Sequence, residues 1–331
     1  MPTIDTVFPQ IVSSASLPDV VAVTTAGESV TIAVEVSLNS QTILATNLYA
    51  YGHQASLYDF RSVIEDVMHS EKLPCAECDI AVTEDGQTVG TGGFTVIFSE
   101  FDIAEMGTWL STHFLTSRTA QRIASNGLQS LYFYATQQER ITYTIEAIVD
   151  NGSSQVTASW TQQSAQNVNK GVHQTSVDAQ AVMNHFQQQG TVLAFKVNRG
   201  ASRSMWFYIT DEYPTKVFRF YNAFNVTEYA PLYAATTKHH KMEATEAHCA
   251  TGIVKVDYER NNEYEVKTAL LPMEEAKWLE QLLSSRFVEL KGDDNIWREV
   301  VIDGESEVTD NTEEENRLSF SYKFVKDLEV L

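Results

Sequence analysis

The sequence has no run approaching the roughly 18 consecutive apolar residues that a membrane-spanning helix requires, so no insertion into a bilayer is expected. Met1 to Val20 lacks the basic residues and the apolar core of a secretory signal; it is polar and carries Pro2, Pro9 and Pro18. Cysteine is scarce. Cys75, Cys78 and Cys249 cannot all pair within one chain, which argues against a disulfide scaffold. Positive charge is scarce too: 23 Lys and Arg face 44 Asp and Glu, a formal charge of -21. Such a surface repels nucleic-acid phosphate and the anionic face of a membrane, so sequence-specific nucleic-acid binding is not expected. It reads first as an ordinary solvated exterior, and the same charge would suit the lining of a channel through which DNA passes without sticking.

The common catalytic signatures are missing. No GxxxxGK[ST], no GxGxxG opening a helix, no GxSxG and no HExxH occurs. Cys75 and Cys78 form a CxxC. A zinc site there would need Cys249 and His248 as the other ligands, at no standard finger spacing, and the βαβ context of a thioredoxin-type centre is lacking. His239, His240, Glu243, Glu246, His248 and Cys249 sit close in sequence and read as a surface or interface cluster. The acidic stretches at Asp293-Asp294 and at Asp303, Glu305 and Glu307 lack the DxDxDG order of a calcium loop and read as solvated loops. A glycosidase needs only two carboxyl groups at a set separation, and 44 acidic residues neither exclude nor propose one. The reading is a protein that is not an enzyme and has no cofactor or metal.

What is present is strand grammar. The chain is 43% hydrophobic and 11% aromatic, rich enough to build packed cores. Val30, Ile32, Val34 and Val36 alternate with polar residues across Ser29 to Ser37, and a second strand is expected over Thr42 to Tyr51. Helical spacing follows at Phe60, Val63, Ile64, Val67 and Met68 behind Asp59 as N-cap. Strands at Cys78 to Thr83 and Phe94 to Ser99 read as a hairpin across Asp85-Gly86 and Gly90 to Gly93. A second helix starts at Asp102 with Met106, Trp109, Leu110 and Phe114 on one face, and strands return at Leu131 to Ala135 and Ile141 to Val149.

From Asn151 to Gln189 the composition turns to Ser, Gln, Asn and Thr, which marks a domain boundary near Asn151. Strands resume at Val192 to Val197 and Ser204 to Thr210. In the last hundred residues, strands at Gly252 to Glu259 and Tyr264 to Leu270 flank an Asn261-Asn262 turn. A helix then starts at Pro272 with Glu274 and Glu275 in its first turn and Ala276, Leu279, Leu282 and Leu283 on its apolar face. Strands at Phe287 to Leu290, Trp297 to Ile302 and Arg317 to Phe324 close the chain around an acidic loop, Asp303 to Asn316. Both ends thus show strands, one helix and more strands.

The expected fold is mainly β with a few short helices, in β-sandwich-type domains that each carry a packed helix. The expected organisation is an extended N-terminal arm at 1–20, a sandwich at 21–150, a β-rich middle region at 151–235 and a C-terminal β domain with one helix at 236–331. Within the middle region lies the densest aromatic cluster. From it, Trp206, Tyr208, Tyr213, Phe218, Phe220, Tyr221, Phe224 and Tyr229 are the candidate interface residues; an aromatic stripe of this kind serves a core, a subunit contact or a sugar platform.

Several segments carry a resemblance. Leu57-Tyr58-Asp59-Phe60 leading to Ile64-Glu65, Phe114-Leu115-Thr116, Phe218-Arg219-Phe220-Tyr221-Asn222-Ala223-Phe224-Asn225, Ala276-Lys277-Trp278-Leu279 and Leu318-Ser319-Phe320-Ser321-Tyr322-Lys323-Phe324 resemble tail-associated structural proteins of Bacteroidetes phages and prophages, from about residue 30 onward. The C-terminal unit is similar in outline to tail-tube, distal-tail and baseplate-hub modules, which form rings by joining sheet edges. The resemblance implies a virion protein of the tail or baseplate, assembled in the bacterial host cytoplasm, with copies of itself in a ring and other tail proteins as partners. It brings no catalytic residue. The alternative is a receptor- or glycan-binding module of a tail or cell-surface adhesin.

Overall fold

The computed structural model describes residues 1–200, 202–249, 252–305 and 316–326. The protein is mainly β, with 54% strand and 14% helix. Its sheets gather into three units.

The first unit contains β1 (Thr3–Ile4), β2 (Ile11–Ser13), β3 (Val21–Thr24), β4 (Thr31–Leu38), β5 (Gln41–Tyr49), β6 (Gln54–Leu57), α1 (Phe60–Ser70), β7 (Cys75–Glu84), β8 (Gln87–Gly90) and β9 (Phe94–Ile97). One sheet has the order β2-β9-β7-β4-β5, with β8 also on β7, and a second has β1-β3-β6. The alternation read from the sequence is realised: Ile32, Val34 and Val36 all point inward, where they meet Val21 and Val23 of the small sheet and Phe60, Ile64 and Met68 of α1. Asp59 does precede α1, but at φ 58° and with its carbonyl receiving the Val63 N–H rather than its carboxylate capping the turn. The predicted hairpin ending in Phe94 is finer than expected. β8 turns back on β7 at Asp85-Gly86, and β9 pairs separately with the start of β7.

Residues 1–20 are not a free arm. β1 pairs with β3, β2 runs parallel to β9, and Phe8 stacks on Phe94 with centroids 4.4 Å apart. The polar average of this segment hides Val12 and Leu17, whose burial ties it to its own sheet.

A short helix, α2 (Met106–Thr112), leads to the second unit: β10 (Ala120–Ala124), β11 (Leu128–Ala135), β12 (Glu139–Asp150), β13 (Gln155–Val168), β14 (Gly171–Asp178), α3 (Ala179–Phe186), β15 (Thr191–Arg199) and β16 (Arg203–Thr210). Five strands in the order β10-β16-β15-β12-β13 face the pair β11-β14 across a core that includes Phe133, Ile145, Val177, Phe186, Phe195 and Phe207. The expected boundary near Asn151 is wrong. β12 and β13 are the two arms of one long hairpin, paired from Glu139↔Val168 to Asp150↔Gln155, and residue 151 lies in its turn. The change in composition marks an edge strand with one exposed face and one half-buried face, not a linker.

The third unit holds β17 (Lys216–Tyr221), β18 (Thr227–Leu232), β19 (Ala234–Cys249), β20 (Gly252–Thr268), α4 (Met273–Ser284), β21 (Val288–Lys291), β22 (Trp297–Glu305) and β23 (Ser319–Phe324), in one sheet ordered β18-β17-β21-β22-β23-β20-β19. β17 and β23 are three strands apart, about 14 Å in a flat sheet. Yet the Phe218 ring meets Phe320 and Tyr322 edge-on at 5.7 Å, so the sheet curls until its two halves touch. Trp278, Leu279 and Leu282 of α4 fill the same core. The unit thus begins near 216, not 236. The Asn261-Asn262 turn is also corrected, because both residues lie inside β20, paired with Lys241 and His240. The centre of the expected acidic loop, 306–315, lies outside the described residues, and β22 extends as far as Glu305.

The echo expected between the two ends is present, and it is plainest between the first and second units. In each, a hairpin (β4-β5, β12-β13) precedes a helix, and the strand after the helix pairs antiparallel with the first strand of that hairpin, as in Val34↔Val82 and Ile145↔Val197. The second strand of the hairpin is left at the sheet's edge both times. The third unit keeps this plan with an insertion. The hairpin β17-β18 precedes α4, and the strand after the helix, β21, pairs antiparallel with β17, as in Phe218↔Leu290. β18 is left at the edge, while β19 and β20 lie between hairpin and helix.

All three units meet at the turn after β17. Asn225 donates to the carbonyls of Met68 and Leu73 in the first unit, at 2.8 and 3.2 Å, and Asn222 donates to Leu115 at 2.9 Å. Between them Phe224 packs among Ile97, Met106, Leu110 and Tyr134.

Candidate functional site

The eight aromatic candidates do not form one surface. Side chains alternate along β17, and Phe218 and Phe220 both take the inward positions, fully buried in the third core. Phe224 is buried where the units join, stacked on Trp109 at 4.9 Å. These three cannot face a neighbouring subunit. Tyr221 and Tyr229 are half-buried against Phe287 and Trp297. Trp206, Tyr208 and Tyr213 remain at the surface, and Tyr208 and Tyr213 are 48% and 63% exposed.

Those three belong to a larger arrangement. Trp206 and Tyr208, two apart on β16, share the outer face of the five-stranded sheet, with ring centroids 6.2 Å apart and planes 13° from parallel. β10 runs parallel beside β16 and sets Arg122 opposite Tyr208. The Arg122 guanidinium grips the Glu275 carboxylate of α4 through two bonds of 3.2 and 3.1 Å and lies 5.1 Å above the Tyr233 ring. Tyr233 in turn donates its hydroxyl to the Glu212 carbonyl at 3.3 Å; burial pushes its phenol pKa up, which keeps that donor protonated. Tyr213, Tyr233, Thr215, Lys267 and Arg317 then line an open cleft of about 690 Å³. Sequence reading found the aromatic members in part and missed Arg122, Tyr233 and Glu275. Tyr233 continues the aromatic segment and was within reach, whereas Arg122 is brought in by a long-range parallel pairing that leaves no local trace.

A second feature is a pair of open sheet edges. β5 and β13 each end their sheet, and among the described residues no strand pairs with their outer sides. In a chain of charge -21, residues 151–169 contain no Asp, Glu, Lys, Arg or Pro, and residues 39–58 contain none either. Two other edges carry charge or proline: β18 has Glu228 and Pro231, and β10 has Arg122.

The chemical candidates are dispersed. Cys75 and Cys78 lie three apart on β7, so their thiols leave opposite faces and cannot share one metal; burial pushes Cys78 up to about 12, far from the thiolate a metal binds. The side chains of His248 and Cys249 lie outside the described residues, and so do those of His240, Glu243 and Glu246. Asp294 is taken by Arg298. Burial raises the carboxyls of Glu65 and Glu100, and the nearby Glu65 charge adds to the rise at Glu100, but Glu65 lies on α1 and Glu100 on the chain after β9, and neither lines the cleft described above. No helix among the described residues is long and apolar enough to cross a membrane.

No family model and no curated protein sequence matches the chain. Among solved structures, similarity extends to the fibronectin(III)-like modules of Clostridium thermocellum CbhA, at 8% identity over 63% of this chain and 94% of that one, with a TM-score of 0.18. It extends also to the calcium binding domain CBD12 of CALX1.1, at 11% identity over 60% of this chain and 96% of that one, with a TM-score of 0.18.

Proposed function

We propose that this chain is a non-catalytic building block that joins copies of itself and other proteins into a larger body, of the kind from which the tail or baseplate of a bacteriophage is made. The observation that carries the reading is β13: fourteen residues of open edge, Gln155–Val168, without a charge or a proline. An unpaired edge is a template for another strand, and monomeric proteins blunt it with lysine, proline or brevity. Two copies of charge -21 repel each other, so a contact between them favours surface free of carboxylates. β5 and β13 supply such surface. Because they are two different edges, a contact between β5 of one copy and β13 of the next is head-to-tail, and it closes into a ring wherever the rotation permits.

The test is sedimentation velocity and negative-stain imaging of the purified full chain across a concentration series. Defined oligomers are expected, and Thr157→Glu with Thr161→Glu, both on exposed positions of β13, should return the protein to monomer without loss of fold. A wild-type chain that stays monomeric at every concentration, or an oligomer indifferent to the two glutamates, overturns the reading.

A further inference from the structure

The aromatic band on the outer face of the second unit has no part in the edge contacts proposed above. We propose that it binds a neutral carbohydrate chain, which lies along Trp206 and Tyr208, passes the Arg122–Glu275 pair and enters the cleft beside Tyr213 and Tyr233. A pyranose ring presents an apolar C–H face to an aromatic plane and its hydroxyls sideways, so it needs ring faces in sequence with hydrogen-bonding groups beside them. The band offers both. Trp206 and Tyr208 are neighbours with nearly parallel rings, Trp206 half-buried and Tyr208 exposed, on the sheet face opposite the core that α3 covers.

The charge pattern selects the ligand. Lys196, whose ammonium lies over one face of the Trp206 ring at 5.6 Å, is paired with Glu146 at 3.4 Å, Arg122 with Glu275 at 3.1 Å and Lys267 with Glu265 at 2.9 Å, so the band displays donors and acceptors with their charges already balanced. A polyanion would meet a chain of charge -21 with no excess of cations to hold it, which disfavours nucleic acid and acidic polysaccharide. The paired groups also hold Arg122 in place before the ligand arrives, which lowers the ordering cost of binding.

The probe is a printed array of neutral and acidic glycans, followed by calorimetry of the full chain with the hexasaccharide of the best neutral class. Saturable binding to a neutral glycan is expected. Tyr208→Ala and Tyr213→Ala, both exposed side chains, should each weaken it by about tenfold, the scale of 1.4 kcal/mol. Tyr58→Ala, an exposed tyrosine of the first unit outside β5, should leave affinity unchanged. The proposal is overturned if no neutral glycan binds, if only acidic glycans bind, or if Tyr208→Ala leaves affinity intact. It is also overturned if Tyr208→Ala dissolves an oligomer, because the band is then a contact between copies. Loss of assembly in the β13 variant with glycan binding retained would separate this site from the edge reading.

Discussion

The Arg118 guanidinium lies 4.3 Å from the ring centroid of Trp278, and both side chains are buried. Arg118 precedes β10 and Trp278 is on α4, so the contact joins the second and third units. Glu228 of β18 completes it, 3.7 Å from Arg118 and accepting the Trp278 indole N–H at 2.5 Å. None of the three guanidinium nitrogens donates a hydrogen bond among the described residues, so the cation is held by the carboxylate's charge and the ring's face.

Glu228→Gln is therefore expected to destabilise the chain by about 3–5 kcal/mol, because it strands a buried cation. Arg118→Met with Glu228→Gln should recover most of that loss, since the pair's desolvation cost vanishes with it. Denaturant titration followed by tryptophan fluorescence reads both. Additive losses would show that the pair is not coupled.

Gly190 is fixed by space as well as by its φ of +140°. A Cβ there would stand 2.2 Å from the carbonyl oxygen of Asp150, at the point where β12 and β15 begin to pair. Gly190→Ala should cost more than the roughly 1–2 kcal/mol of backbone strain alone. Gly152, at φ +86° with nothing within 4 Å of such a Cβ, supplies the comparison: Gly152→Ala should show only that strain. Equal melting shifts for the two would refute the steric argument.

The sequence was legible where one face of an element is dry. Ile32, Val34 and Val36, and likewise Leu318, Phe320 and Tyr322, announce their strands because burial imposes a period of two. β13 has no fully buried face: its inward positions, Ala158, Trp160, Gln162 and Ser164, are half-buried and mixed in polarity, so its period is hidden in the composition and it read as a break between domains. Its informative feature was the missing charge. Asn261-Asn262 failed for the opposite reason: a local turn preference yielded to the long pairing of β19 with β20. The aromatic segment failed at Phe218, Phe220 and Phe224 because alternation tells which residues share a face, not which face is covered. Of the band, only Trp206, Tyr208 and Tyr213 were foreseen, since its remaining members come from β10, α4 and the residue after β18.

The turn between β21 and β22 gives a pH-dependent signature. Arg298 binds both carboxylate oxygens of Asp294, and the Ile296 N–H donates to the same group at 3.1 Å. The side-chain bond from Arg298 comes first and the backbone bond second in holding this carboxyl down to about 2, below its ordinary 3.8. Because the folded value is the lower one, the turn's contribution is complete above about pH 4 and disappears as pH falls through 2. Carbon-13 NMR of labelled aspartate should place the Asp294 midpoint near 2 in the native chain, and Arg298→Gln should move it back toward the ordinary value. Calcium should leave that midpoint in place, because the oxygens a cation would need are already engaged by the guanidinium; a calcium-dependent shift would restore the acidic turn as a metal site.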